Sequence, residues 1–212
     1  MKAVLFDLDG TVTDPGIGIT NSVMYALSRF GIEVKDRAAL YRFIGPPLRQ
    51  SFSEYYGFSA QDAEKAVSYY REYYRPKGIF ECTLYDGIIS TFRSLSEAGF
   101  GIALATAKPE VFAKQIAAHF GFDVYLSAVS GASLDASRED KAVIIARALD
   151  MLGVSPSRGS YMVGDRAYDI EGGKKNGLFT IGALYGYGTE EELSSACAAA
   201  KTPYDIAKII LK

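Results

Sequence analysis

Short apolar segments alternate with amphipathic segments over most of this 212-residue chain, and the alternation limits the fold more than any other feature. Five apolar runs have the length of buried strands: residues 3–6, 101–105, 124–129, 160–163 and 180–184. Helical periodicity fills the intervals near residues 87–98, 109–120, 138–152 and 166–176. The pattern predicts an α/β fold, a doubly wound parallel sheet with helices on both faces.

Residues 15–79 interrupt this alternation, because they show helical periodicity without a convincing strand. Asp36 and Ser59 are suited to cap two of the predicted helices. We therefore predict a core domain of residues 1–14 and 80–212, with a small helical domain of residues 15–79 inserted after the first strand. Lids over active sites often have this placement.

The composition excludes several classes of function. A net charge of −2 gives no basic surface for a nucleic-acid polymer. Cys82 and Cys197 are far apart in sequence and do not have the spacing of metal ligands. The sequence suggests neither a signal peptide nor a membrane span. These features favour a cytoplasmic protein, monomeric or a small homo-oligomer, that has no membrane partner.

The chain has a single histidine, His119, which falls in a predicted helix where a surface role is favoured. A Ser-His-Asp triad, a histidine-rich zinc site and a phosphohistidine mechanism are therefore disfavoured. The remaining groups for chemistry are carboxylates, lysine, hydroxyls and a metal bound through oxygen.

Two carboxylates, Asp7 and Asp9, follow the first predicted strand directly, in the sequence Asp7-Leu8-Asp9-Gly10-Thr11. Ligands bind at the carboxyl ends of strands in open α/β sheets. Two like charges in that position repel each other, and a hard divalent cation offsets them most simply. A solvated acidic turn is the alternative for an isolated pair of this kind.

Polar residues also follow three later strands. Thr106 follows the second run, Lys141 opens a predicted helix, and Asp165 and Asp169 follow the run at 160–163. Thr106 and Asp165 could simply cap helices. The positive charge of Lys141 is unfavourable near a helix N-terminus. A lysine in this position is therefore expected to have a specific partner. Because all four strand ends belong to one predicted sheet, a common site is favoured over coincidence.

These motifs, in this order, resemble those of the haloacid dehalogenase superfamily of phosphotransferases. The matching features are D-L-D-G-T at 7–11, Thr106, Lys141 and G-D-R-A-Y-D at 164–169, and residues 15–79 look like the cap of that family. The segments 43–49, 106–109 and 184–188 look like those of phosphoglycolate phosphatase relatives. The stretch from Gly131 to Lys141, together with Y-G-Y-G at 185–188, is most similar to bacterial 5′-nucleotidases of this superfamily.

The resemblance implies an aspartyl-phosphate mechanism with Asp7 as nucleophile and Asp9 as general acid and then general base. It implies one Mg²⁺ on the side chains of Asp7 and Asp165 and the backbone carbonyl of Asp9. Asp169 is expected to support the metal through water or through Lys141. The acid at position 9 disfavours dehalogenation, because dehalogenating members lack it.

The transferring oxygens are expected to bind Thr106, the neighbouring backbone N–H of Ala107, and Lys141. In the cap, Arg49 is a candidate for a substrate carboxylate or second anion, with a solvated helix residue as the alternative. Four tyrosines at 69, 70, 73 and 74 are suited to stacking on a nucleobase, although packing inside the cap is favoured.

A small phosphorylated metabolite is the expected partner, with a nucleoside 5′-monophosphate as the first substrate hypothesis and phosphoglycolate as the second. A phosphosugar mutase is a further alternative. A non-catalytic protein that binds phosphorylated ligands belongs to a different class. The intact set of Asp7, Asp9, Lys141 and Asp165 argues against it.

Overall fold

The computed structural model describes residues 2–134, 140–155 and 159–212. The chain divides into two compact units. The larger unit comprises Met1–Asp14 and Leu84–Lys212, and the smaller unit comprises Pro15–Thr83.

Eight strands are present in the described residues: β1 (Ala3–Phe6), β2 (Thr13–Asp14), β3 (Thr83–Leu84), β4 (Gly101–Pro109), β5 (Leu126–Ala132), β6 (Tyr161–Gly164), β7 (Phe179–Ala183) and β8 (Ala198–Ala200). Six of them form one sheet in the order β5-β4-β1-β6-β7-β8, and every neighbouring pair is parallel. The predicted doubly wound sheet is confirmed. The strand order reverses beside β1, so the carboxyl end of β1 is the position where such folds bind ligands.

The α-helices of the described residues are α1 (Gly16–Ser28), α2 (Leu48–Tyr56), α3 (Ala60–Tyr74), α4 (Ile88–Glu97), α5 (Glu110–Phe120), α6 (Lys141–Leu152), α7 (Ala167–Lys175) and α8 (Pro203–Ile210). None of them is long and apolar enough to cross a membrane.

The central strand β1 is buried on both faces. Leu5 packs in the hydrophobic cluster that contains Ile144 and Ile145 of α6. Phe6 meets Phe92 of α4 edge-on, with ring centroids 5.0 Å apart. This burial accounts for the continuous apolar run in the sequence, which is typical of a central parallel strand. It also fixes the position of the residues that follow Phe6.

Several predicted boundaries differ from the structure. Val124, predicted to begin a strand, lies in a 3₁₀ turn over Asp123–Tyr125. The strand β4 continues to Pro109, so α5 begins one residue later than predicted. The predicted helix start at Arg138 lies outside the described residues. The strand β8 and the helix α8 were not predicted.

The smaller unit contains α1, α2, α3 and a 3₁₀ helix over Arg37–Phe43. The side chains of Asp36 and Ser59 accept backbone hydrogen bonds at the starts of two of these helices, as predicted. Tyr70 and Tyr74 are buried and stack on each other with ring centroids 5.2 Å apart. For these two tyrosines the packing interpretation is therefore supported over stacking on a ligand.

Candidate active site

Asp7 and Lys141 are joined by a buried ion pair at the carboxyl end of the sheet. Asp7 follows β1, and its backbone N–H donates to the carbonyl of Val163 at 2.9 Å. Lys141 is the first residue of α6, and its Nζ lies 2.7 Å from Asp7 Oδ1 and 2.7 Å from Asp169 Oδ1. These two carboxylates are the specific partners that offset the unfavourable position of a cation at a helix N-terminus.

Asp165 and Asp169 are the other two acids of this group. Asp165 follows β6 and accepts hydrogen bonds from Thr11 Oγ1 at 3.3 Å and from the backbone N–H of Tyr187 at 2.8 Å. Asp169 Oδ2 accepts from the backbone N–H of Arg166 at 3.1 Å, which caps α7. The carboxylates of Asp7, Asp165 and Asp169 each offer an oxygen, and these atoms lie within 4.8 Å of one another.

Burial and mutual repulsion disturb the ionisation of this group. Burial, reinforced by the charges of Asp169 and Asp7, raises the pKa of Asp165 well above its ordinary value. Burial also raises the pKa of Asp169 to about 6, although Lys141 opposes the change. Burial by itself favours neutral Lys141, but the charges of Asp169 and Asp7 outweigh it and raise the pKa of this lysine. The ammonium is therefore charged at neutral pH.

The donor set fits a hard divalent cation. When three carboxylates and one ammonium are ionised, the net charge of the group is −2. The three candidate ligand groups are carboxylates, and hard cations such as Mg²⁺ and Ca²⁺ prefer oxygen ligands. A cation of charge +2 bound here would offset the repulsion between these carboxylates.

Asp9 forms a second ion pair, separate from this carboxylate group. Lys108 Nζ lies 2.6 Å from Asp9 Oδ2, and both residues are largely buried. Burial raises the pKa of Asp9, and Lys108 opposes the rise. Sequence reasoning did not assign a role to Lys108. Lys108 comes two residues after Thr106, at the end of a predicted strand, and this position could have indicated a role in the site.

Thr106 and Ala107 lie within β4 rather than at the start of a helix. Thr106 is buried, and its Oγ1 accepts a hydrogen bond from the backbone N–H of Lys108 at 3.2 Å. The residue at the N-cap of α5 is Pro109, so Thr106 does not cap that helix. The hydroxyl instead binds the backbone of Lys108 near the end of the same strand.

Arg49 lies in the smaller unit, on α2, where its guanidinium forms an ion pair with Glu64 of α3. The Nη2 atom of Arg49 lies 3.2 Å from Glu64 Oε1. Both side chains are exposed by more than a third, and exposed ion pairs contribute little to stability. The guanidinium is therefore held by a partner that can be exchanged at small cost.

The fold and this group of acids and lysines define a class of hydrolases. Residues 4–183 match the family model of haloacid dehalogenase-like hydrolases, and the chain belongs to that family. The resemblance inferred from the motifs is confirmed. Together with the named relatives, the match identifies the protein as a phosphatase of this family.

Similar proteins carry several names. A 5′-nucleotidase of Pseudomonas aeruginosa is 46% identical over 190 residues, which cover 90% of this chain and 86% of the relative. A predicted phosphatase from Clostridium acetobutylicum has a solved structure with a TM-score of 0.94 and 45% identity, covering 99% of this chain and 98% of that one. The tyrosine-protein kinase PtkA of Mycobacterium tuberculosis is 37% identical over 88% of this chain and 63% of its own length. Relatives at 27 and 29% identity are named phosphoglycolate phosphatase.

Proposed function

We propose that this phosphatase is a Mg²⁺-dependent phosphomonoesterase that acts on nucleoside 5′-monophosphates through an aspartyl-phosphate. The observation that carries the proposal is the meeting of Asp7, Lys141, Asp165 and Asp169 at the carboxyl end of the sheet. The relative named 5′-nucleotidase, at 46% identity, supports the choice of substrate. Enzymes lower the high barrier of phosphate-monoester hydrolysis mainly by positioning and by stabilising charge.

In the first step, a carboxylate oxygen of Asp7 attacks phosphorus and the bond between phosphorus and the ester oxygen breaks. Asp9 gives its proton to the leaving alkoxide, so an alcohol departs. Thr106, the backbone N–H of Ala107 and Lys141 hold the transferring oxygens. The raised pKa of Asp9 supports its role as a proton donor.

In the second step, Asp9 takes a proton from water, whose oxygen attacks phosphorus. The bond to Asp7 breaks, and inorganic phosphate and the free carboxylate are formed. A divalent cation would be held by the side chains of Asp7 and Asp165 and the carbonyl of Asp9, with Asp169 in support. When bound, it supplies the positive charge that lets an anionic carboxylate approach an anionic phosphate.

The metal requirement gives the first prediction. Chelation with EDTA should abolish phosphate release, and added Mg²⁺ should restore it, because the proposed ligand set contains only oxygen donors. Metal-free protein should also melt at a lower temperature, since Lys141 alone then offsets the charge of three buried carboxylates. Full activity in excess chelator, or rescue by Zn²⁺ alone, contradicts the proposal.

The substrate is tested by measuring phosphate release from a panel of esters with saturating Mg²⁺. Nucleoside 5′-monophosphates should give the highest kcat/KM, and the matching 3′-monophosphates serve as controls with the same base and charge. A higher kcat/KM for 2-phosphoglycolate would select the second hypothesis. Conversion of a hexose 1-phosphate into its 6-phosphate would identify a mutase. Binding without turnover of any ester would identify a non-catalytic protein.

Substrate selection by Arg49 gives the second prediction. Arg49→Ala should lower kcat/KM for the preferred substrate by roughly 10- to 100-fold, the cost of about 1.5–3 kcal/mol for one charge-assisted hydrogen bond. A small generic phosphate ester should lose much less. Glu64→Ala is the matched control, because it breaks the same ion pair and keeps the guanidinium. If Arg49→Ala and Glu64→Ala lower kcat/KM equally, the effect comes from loss of the ion pair and not from a contact between Arg49 and the substrate.

A further inference from the structure

The loop of residues 184–188, which follows β7, lies against the turn after β1 and against Asp165. The backbone N–H of Tyr187 donates to Asp165 Oδ2 at 2.8 Å. The hydroxyl of Tyr185 donates to the carbonyl of Thr11 at 2.9 Å. The hydroxyl of Tyr187 donates to Asp14 Oδ1. Three hydrogen bonds therefore join this loop to the two segments that carry the acids of the site.

Two glycines allow this loop to approach so closely. A Cβ atom on Gly186 would lie 2.3 Å from the carbonyl oxygen of Gly10 and 2.4 Å from Asp165 Cβ. A Cβ atom on Gly188 would lie 1.9 Å from the carbonyl oxygen of Asp165. Any side chain at either position would push the loop away from Asp165. The two glycines of this motif are thus explained by the close approach of the loop to Gly10 and Asp165.

Asp165 needs such support because its neighbours repel it. Its carboxylate is fully buried, and one oxygen from it, from Asp7 and from Asp169 lie within 4.8 Å of one another. Repulsion favours rotation of the carboxylate away from the other two acids. Thr11 binds one of its oxygens and the N–H of Tyr187 binds the other. Together these two donors set the orientation of the carboxylate.

We propose that the 184–188 loop is a positioning element for the divalent cation, in which the hydrogen bond between Tyr187 and Asp14 holds the backbone N–H of Tyr187 on Asp165. This inference rests on the proposed function, because it assigns Asp165 to the cation. Tyr187 acts through Asp165 and is a positioning residue. Loss of a group that orients a metal ligand typically costs 10- to 100-fold in metal affinity or activity.

The test is the affinity for Mg²⁺ measured by calorimetry without substrate. Tyr187→Phe keeps the ring and the backbone N–H and removes only the hydroxyl, so the Kd for Mg²⁺ should rise about tenfold. The Mg²⁺ concentration that gives half-maximal activity should rise by the same factor. At saturating Mg²⁺, kcat should remain near that of the wild type. Tyr161→Phe makes the same chemical change at the start of β6 and should leave the Kd unchanged.

A double-mutant cycle identifies the bond responsible. Asp14→Ala should weaken Mg²⁺ binding as much as Tyr187→Phe, and the double variant should lose little more, because both changes remove one hydrogen bond. Additive losses would overturn the proposed coupling. Wild-type affinity with a lower Tm in chelator would show a merely structural role and would also overturn it. If the wild-type protein does not bind Mg²⁺ at all, the proposed function fails together with this inference.

Discussion

Replacing Asp7 with asparagine should lower the rate of phosphate release by on the order of 10⁴-fold or more, the scale seen when a nucleophile is removed. Asparagine has almost the same shape, and its Oδ1 still accepts from Lys141. The substitution also removes one of three crowded negative charges. The variant should therefore fold, with a Tm in chelator equal to or above that of the wild type.

A control variant and chemical trapping of the acyl phosphate make the Asp7→Asn test specific. Asp150→Asn makes the same change on α6, the helix that carries Lys141, and should keep full activity. Mixing substrate with the wild type and reducing the quenched sample with borohydride should convert an acyl phosphate at position 7 into homoserine. Retained turnover in folded Asp7→Asn protein would contradict the aspartyl-phosphate mechanism. So would the absence of homoserine at position 7 of the reduced wild type.

The core of the fold was predictable because its signals are local. The run Ala3–Phe6 is apolar over its whole length and the acids begin at the next residue, so strand and site residue could be read from one short segment. The position of Lys141 was equally informative, because a lysine at a helix N-terminus is unfavourable without a partner. The structure supplies Asp7 and Asp169 as partners.

Two elements at the end of the chain were not predicted, although the sequence of one of them carries a clear signal. The strand Ala198–Ala200 consists of alanine, which has low strand propensity, and it forms by pairing with the distant β7. Its sequence contains no signal for that pairing. The start of helix α8 could have been predicted from the sequence. Thr202 and Asp205 provide a capping box, and Pro203 occupies the first helical position.

Long-range contacts also changed the roles of side chains near the site. The spacing of Thr189 and Glu192 predicts a local capping box, and the backbone N–H of Glu192 does donate to Thr189 Oγ1. The carboxylate of Glu192, however, accepts from the backbone N–H of Ala167 and from the side chain of Arg166. It therefore supports the start of α7, more than 20 residues earlier in the chain. Sequence spacing alone gave no sign of this contact.

Removal of the ammonium at Lys141 should have the largest effect on stability. Lys141→Met keeps most of the side-chain volume but leaves Asp7 and Asp169 buried without their counter-ion. Breaking one side of a buried ion pair costs about 3–5 kcal/mol. We expect a loss of this size in the free energy of unfolding, measured with urea at pH 7 in EDTA. Phosphate release should fall by about 10²–10³-fold, as it does when one transition-state donor is lost.

The loss should depend on pH in a defined direction. With Lys141 present, the pKa of Asp169 rises from 3.8 to about 6, so the folded state binds more protons than the unfolded state between these values. Stability therefore falls as the pH rises through this window. Without the ammonium, the pKa of Asp169 should rise further, so the fall in stability should extend to higher pH. The variant should approach the wild type in stability near pH 4.

Two further variants separate charge from shape. Lys141→Arg keeps a positive charge and should retain more stability than Lys141→Met, although the planar guanidinium does not match the ammonium geometry. Lys208→Met removes an exposed lysine from α8 and should change stability little. Added Mg²⁺ should recover part of the stability lost in Lys141→Met, because both cations neutralise the same carboxylates. A Lys141→Met protein as stable as the wild type at pH 7 in EDTA would show that the buried acids are neutral there and do not need this lysine.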